Sequence, residues 1–400
     1  MCALLALGCY VSNALHTAAF CAVSILLIHR VWRHGRAELA RLPGLELPIA
    51  LYATSFLLSS ALGLAPAHSF PYVTELKRIV VAFLVASSLR DRRDLALLLG
   101  AILVGAVLTT GCAFHQYLFG GEYTRMRVTI VFQPYELQQA FGLASSVNDL
   151  AGLLILALGV SAGPLLFGSV PRRTRWLLGA AAIVIVLGLL RSMSRSGFVG
   201  AGVGLAATGF LVNPRRTLVV FLALLCLYPA LPENLKTRHR QLFDTSLVPN
   251  RFRIRMVHLS MEMARDHLPW GIGRRNFEPL HRTMRQGTEE VSPNAHNNYL
   301  NLLVEQGILG LVTLVWLQLS MLLYLFRMVR APDGTNEART CAIGVFMSLA
   351  SFTAAGLFDF YWGFSLPVTV MWILVGAVYA IGQGRIPELP TRLAPSRRVC

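Results

Sequence analysis

Charge is scarce in this chain. Asp, Glu, Lys and Arg make up 14% of its 400 residues, against about 25% in ordinary soluble domains. Stretches such as Leu95–Leu108, Ala180–Leu190 and Leu309–Met321 carry none. Length alone suggests two or three soluble domains. The uncharged runs overrule that, because a helix crosses the hydrocarbon core with roughly 20 mainly apolar residues, and about eleven such segments are present.

Lysine is nearly missing. Lys77 and Lys236 are the only two among 36 basic residues, so the net charge of +16 is arginine charge. Arginine presents a rigid fork to phosphate or carboxylate, which favours anion recognition. A GC-rich genome gives the same bias, so the positions of the arginines decide. They are spread over short loops between apolar spans, which excludes a nucleic-acid-binding face.

The seven cysteines, Cys2, Cys9, Cys21, Cys112, Cys226, Cys341 and Cys400, avoid the long polar segment and form no CxxC pair. That excludes a disulfide framework and a cysteine metal site. Internal repeats and low-complexity tracts are lacking, which weakens an inverted-repeat transporter. The N-terminus has no basic start and stays apolar to Ile28, so it reads as membrane-embedded rather than as a leader.

The arginines that are present set an orientation, because Arg and Lys concentrate in cytoplasmic loops. Residues 30–41, 90–93, 172–175, 215–216, 327–330 and the tail at 385–398 all fall on one side for spans over 3–29, 47–65, 74–89, 95–118, 147–168, 176–193, 197–212, 217–231, 299–326, 341–358 and 363–383. Residues 1–29 read as one span or as a broken pair, giving eleven or twelve. The expected domains are 1–231 and 299–383 as transmembrane helices, 232–298 as a large outer loop, and 384–400 as a cytoplasmic tail.

The 67-residue segment 232–298 breaks the bias with ten Arg and one Lys against seven Asp and Glu. Loops beyond about 15 residues are usually functional or carry their own structure. A helix is expected over Arg251–His267, with Ile254, Val257, Met261 and Ala264 at helical spacing. Arg251, Arg255 and His258 share a face of it, and Arg265 follows. The segment is either a solvated, headgroup-binding loop or a cradle for an anion. Arg191 and Arg195, spaced i, i+4 at the outer end of a span, need a cavity or an anionic partner unless they snorkel. Arg125 and Arg127 on the smaller outer loop 119–146 are candidates for the same site.

The sequence Ser292-Pro-Asn-Ala-His296-Asn297-Asn-Tyr ends the long loop and opens the next apolar helix, with Gly307 and Gly310 beyond. A neutral imidazole is what a general base needs near pH 7. The glycines are expected to admit a neighbouring helix.

This stretch resembles the signature of the O-antigen ligase and polymerase superfamily of membrane glycosyltransferases: His296, Asn297, nine residues, Gly307, two residues, Gly310. Ser194-Arg195-Ser-Gly197 resembles the family's Ser-Arg-Gly/Ala motif. Asn148-Asp149-Leu-Ala151 resembles its Asn-x-x-Ala segment. Arg255 through Pro269-Trp-Gly271-Ile-Gly273 resembles its arginine-rich helix ending in Pro-x-Gly-x-Gly, with the register between Arg253 and Arg255 left open. Together these cover about residues 120–310.

The resemblance implies an all-α, GT-C-like polytopic membrane bundle with a helical periplasmic loop, in a Gram-negative inner membrane. It implies a glycan donor on undecaprenyl pyrophosphate and metal-independent, inverting transfer without a cofactor. His296 would be the base, with Arg127, Arg191, Arg195, Arg255, Arg265 and Asn297 holding substrate. No clustered carboxylates suited to Mg²⁺ and no zinc-ligand spacing appear in the outer loops. The outer loop lacks an added soluble domain, which favours ligation to a lipid A–core acceptor over transfer to protein. Glycan polymerisation and non-enzymatic transport of the lipid-linked oligosaccharide stay open.

Overall fold

The computed structural model describes residues 1–119, 141–230, 233, 236–237, 248–284, 291–331, 334–387 and 389. Among these residues there are helices and connectors but no strand. The helices are α1 (Cys2–Val11), α2 (Asn13–His34), α3 (Glu46–Leu62), α4 (Lys77–Ser88), α5 (Arg92–Phe119), α6 (Val147–Phe167) and α7 (Arg172–Ser192). They continue as α8 (Arg195–Val212), α9 (Pro214–Leu227), α10 (Val248–His267), α11 (Phe277–Met284), α12 (Asn298–Arg330), α13 (Asn336–Ala355) and α14 (Ser365–Gly382). Eight of them, α2, α5, α6, α7, α8, α12, α13 and α14, are long and apolar enough to cross a membrane. The protein is a polytopic helical membrane bundle.

The first apolar stretch is a broken pair. Ser12 adopts extended backbone (φ −156°), and its side chain accepts from the Leu15 N–H, starting α2 afresh. The 10-residue α1 is buried in the bundle: Tyr10 is 1% exposed and donates its hydroxyl to the Leu153 carbonyl at 3.1 Å. Its ring lies where a Cβ on Gly105 would stand.

Small residues bring the central helices together. A Cβ on Gly159 of α6 would meet Ser348 of α13 at 2.3 Å, and one on Gly204 of α8 would meet Ser351 at 1.9 Å. Helix α13 is therefore clamped between α6 and α8, and Ser348 donates to the Leu156 carbonyl at 2.6 Å. Helices that are apolar all round belong in a core; α14 is buried from Pro367 to Gly382. Helices α3, α12, α13 and α8 pack successively as a row.

The arginine-rich turns meet at one end of the bundle. Arg30 and Arg90 pair with Glu38, Arg92 pairs with Glu337, and Arg385 donates to the carbonyls of Ala37, Glu38 and Leu39. The polar segment lies at the opposite end, where it has a small core of its own: Met263, Ala264, Ile272, Phe277, Ala295 and Val304.

Two expectations are corrected there. Helix α10 buries Met256, Ser260, Met263 and Ala264, while Ile254, Val257 and Met261 stay 42–51% exposed. Of the expected apolar stripe only Ala264 faces inward. The two sets differ by roughly a third of a turn, and the chosen face is the one that meets α12. Gly307, in turn, does not admit a helix. It breaks α12 (φ 66°, ψ −164°), freeing the Val304 and Glu305 carbonyls. These accept from the N–H groups of Ile272 and Gly273 at 2.9 Å, and Ile308 N donates back to Pro269 O at 3.1 Å. The Pro-Trp-Gly-Ile-Gly segment is thus docked, backbone to backbone, into a helix break. The residues after the break still make a run long enough to span a bilayer, so the break costs the membrane helix nothing.

Candidate active site

His296 sits in the last residue pair before α12, in left-handed backbone (φ 49°) that non-glycine residues rarely adopt. Such strain persists only where the surroundings fix it. Here the His296 N–H donates to Asn294 Oδ1 at 2.9 Å, and Ala295 N to Asn301 Oδ1 at 3.0 Å. Asn297 caps α12 by accepting from Tyr299 N and Leu300 N, and its amide donates to the Leu357 carbonyl at 2.8 Å. Asn298 N donates to Gly356 O at 2.7 Å. The start of α12 is thereby tied to the connector after α13.

That connector carries the partner of the imidazole. Nδ1 of His296 lies 3.3 Å from Oδ1 of Asp359, whose side chain is 2% exposed. Oδ1 also accepts from Phe360 N at 2.7 Å, and Oδ2 accepts from the Asn148 amide. A carboxylate only accepts, so the network places the imidazole proton on Nδ1 and leaves the Nε2 lone pair for a substrate. The ring is 27% exposed, and Phe252 of α10 meets it edge-on at 6.1 Å between centroids.

The network runs on into the turn between α7 and α8. Ser194 Oγ donates to Asn148 Oδ1 at 2.8 Å and lies 3.1 Å from Ser196 Oγ, which lies 3.0 Å from the Tyr361 hydroxyl. Gly152 leaves room for the Tyr361 ring, which a Cβ there would meet at 2.8 Å. Burial and the Asp359 carboxylate push the Tyr361 phenol up; the Ser196 and Ser194 hydroxyls and the charge of Arg253 pull the other way. Arg253 is therefore within electrostatic reach of this pocket. Arg195, 7% exposed, donates to Asn250 Oδ1 and so ties α8 to α10.

The arginines expected to act together are distributed. Arg191 and Arg195 are not on one helical face, because α7 ends at Ser192 and Met193 turns the chain in left-handed backbone (φ 54°). Arg191 instead lies over the Tyr117 ring at the end of α5. On α10, Arg251, Arg255, His258 and Arg265 occupy the exposed face, while Arg253 and Phe252 are half-buried on the inner side. Arg127 and Arg125 lie outside the described residues. Asn297 thus stands next to His296 at the α12–α13 seam, Arg195 is joined to α10 through Asn250, Arg191 lies over Tyr117, and Arg255 and Arg265 are on the exposed face of α10.

Asp359 escaped sequence reasoning, as did the part Asn148 plays beneath it. The available signal was a lone carboxylate in a short connection between apolar spans, where an ionisable group is expensive and usually paired. Below this pocket, Arg274 and Glu305 form a pair in which both side chains are 1% exposed, at 2.5 Å; Arg274 also reaches Glu75 at 2.6 Å. The Arg274 guanidinium lies 5.4 Å from the Phe360 ring centroid, so this cluster braces the connector that holds Asp359. Among the described residues, no three His, Cys, Asp or Glu side chains group as metal ligands.

A comparison with curated proteins gives no match. Residues 180–315 match the family model Wzy_C, O-antigen ligase. The matched segment runs from α7 through the Ser194–Ser196 turn, α10 and the docked glycine segment to His296 and the break in α12, and over this segment the chain is similar to the O-antigen ligase family.

Proposed function

We propose that this protein is an O-antigen ligase: an inverting, metal-independent glycosyltransferase that moves a glycan from undecaprenyl pyrophosphate to a hydroxyl of lipid A–core on the periplasmic face of the inner membrane. The observation that carries the reading is the His296–Asp359 pair at 3.3 Å, in which a neutral imidazole donates through Nδ1 and keeps Nε2 as the acceptor a general base needs.

In this mechanism Nε2 takes the proton of the acceptor hydroxyl as its oxygen attacks the anomeric carbon. The bond to the pyrophosphate oxygen breaks on the opposite face, and the electron pair leaves with the diphosphate. Inversion follows from the in-line geometry. Asp359 holds the tautomer and stabilises the imidazolium that forms, the role of the carboxylate in hydrolase triads. Arg195 and Arg253 supply positive charge where the leaving group gains negative charge, which is worth most in a site shielded from water. We assign Arg191, Arg255 and Arg265, and Arg127 in the smaller loop, to the approach of the anionic donor, and Asn297 to fixing the His296 backbone through its cap. Passive movement of a lipid-linked glycan calls for no general base, whereas glycosyl transfer to a hydroxyl does.

Complementation of an O-antigen-ligase-deficient Gram-negative strain with matched glycan and core tests this. Wild type should restore capped lipopolysaccharide; His296→Ala and Asp359→Asn, expressed at equal level, should not. Restoration by His296→Ala would remove the base and the reading with it. Longer glycan on undecaprenyl pyrophosphate, without transfer to lipid A–core, would mark a polymerase.

A further inference from the structure

A second cationic surface stands on the other flank of the dyad. In the row α3, α12, α13, α8, His296 opens α12 and Asp359 follows α13. Arg195 opens α8, at one end of the row. At the other end, the connector after α3 is fastened to residues 272–276. Leu64 N donates to Ile272 O at 2.9 Å, and Ser69 Oγ donates to Arg274 O at 3.0 Å.

This fastening presents three side chains in file. The Asn276 amide donates to Ser69 Oγ at 3.1 Å and to Ile272 O at 2.8 Å, so its oxygen is the atom facing His68 Nδ1 at 2.9 Å. An amide oxygen only accepts; the His68 proton therefore sits on Nδ1, and Nε2 is an acceptor that can receive the O–H of a singly ionised phosphomonoester. The exposed imidazole meets Tyr72 edge-on at 5.7 Å, and the Arg275 guanidinium lies 5.5 Å from the Tyr72 ring centroid.

Charge and apolar surface converge on the same place. Arg78, Arg274 and Arg275 outnumber Glu75 and Glu305, leaving a positive cluster. Its exposed pole is Arg275, at 38% against 1–13% for the other four side chains. Arg275 is held in left-handed backbone (φ 64°), with its N–H on Glu305 Oε1 at 3.0 Å. That arrangement fixes the base of the arginine, whose guanidinium donates through Nη2 to Glu75 Oε1 at 3.0 Å and keeps its remaining face exposed. Leu62, Leu64, Phe70, Leu268 and Trp270, each 46–56% exposed, lie on the same connector and docked segment. Cations beside exposed apolar groups and a tryptophan mark the headgroup level of a bilayer.

We propose that His68, Tyr72 and Arg275 form a second anion site, which takes a phosphomonoester carried on a lipid-anchored glycan. It would hold the acceptor on the α3 flank while the donor is held on the α8 flank. Only the assignment of acceptor rests on the transferase reading; the binding site itself does not.

The full chain in nanodiscs of neutral lipid would be titrated with a bis-phosphorylated glucosamine-disaccharide glycolipid and with its phosphatase-treated form. Phosphatidylglycerol serves as competitor. Wild type and His296→Ala should bind the phosphorylated form about tenfold more tightly, the worth of one good charge-assisted contact. Arg275→Gln should abolish that preference, and Arg275→Lys should keep part of it. His68→Gln and Tyr72→Phe, which leave the buried ion pairs intact, should each weaken binding several-fold. Equal binding of the two forms, preference surviving in all the variants, or equal competition by phosphatidylglycerol would overturn the proposal. In a transfer assay Arg275→Gln should raise the acceptor KM without changing the donor KM. If binding follows this pattern while no glycan is transferred to any acceptor, the site stands and the ligase reading fails.

Discussion

Asp359 lies 63 residues beyond His296 in the chain, yet its Oδ1 stands 3.3 Å from the imidazole Nδ1. The two residues occupy connectors on either side of the α12–α13 hairpin, and the Asn298–Gly356 hydrogen bond at 2.7 Å holds those connectors together. The dyad is therefore a property of the hairpin's mouth rather than of either helix.

Asp359→Asn tests what the carboxylate does. The amide keeps the shape but can donate to Nδ1, which favours the proton on Nε2, where it blocks the base. Transfer should fall by roughly 10²–10⁴ in kcat. Donor and acceptor KM should change little, and the acid limb of the pH–rate profile should move. An Asp359→Asn enzyme with wild-type kcat and pH profile would assign the carboxylate to structure alone.

The two faces of α10 separate Arg253 from its neighbours. Arg253→Ala should lower transfer by at least about tenfold, since a charge next to the leaving group is worth more than 1.4 kcal/mol in a shielded site. Arg251→Ala, on the exposed face, should cost less than about threefold. Steady-state rates on a lipid-linked donor decide it; the reverse order would place the donor against the outward face.

Gly307→Ala should disable the fold. A Cβ there would stand 1.8 Å from the Pro269 carbonyl oxygen, in backbone that only glycine adopts readily. The expected loss is at least about 2 kcal/mol, read as a lower melting temperature in detergent and accelerated proteolysis between α10 and α12. Gly202→Ala, whose Cβ would meet nothing within 4 Å, serves as the control and should leave stability unchanged.

Glu75 gives a pH signature. Burial pushes its carboxyl up, but Arg274, Arg78 and Arg275 outweigh that and hold it below its ordinary value of 4.5. A carboxyl lowered in the folded state contributes stability that is present above pH 4.5, its unfolded value, and is lost as pH falls through the folded-state value. Melting temperature should therefore fall on acidification below pH 4.5. Glu75→Gln should be less stable at neutral pH and should lose that part of the acid sensitivity. An unchanged acid profile in Glu75→Gln would assign the loss to other carboxylates.

How much was legible differs by residue. Scarce charge and uninterrupted apolar runs already implied the membrane bundle, because nothing else satisfies the backbone in lipid. The position of His296, between a polar segment and an apolar helix, stood out for the same reason. The arginines misled where spacing was taken for geometry. Arg191 and Arg195 are four apart, but Met193 turns the chain between them. The α10 stripe misled because the helix carries apolar residues on two faces, and only the packing against α12 selects one.

The sequence by itself determined that the chain crosses a membrane many times, that its arginine-rich turns gather at one end, and that a polar segment with a histidine lies at the other. Those are consequences of solvation, which acts on each segment separately. Only the tertiary structure decided that Asp359 and Asn148 stand behind His296, that Gly307 breaks a helix to receive a loop, and that Arg253 rather than Arg255 turns inward. Each depends on which helices become neighbours, and side-chain packing and backbone pairing between segments distant in the chain settle that.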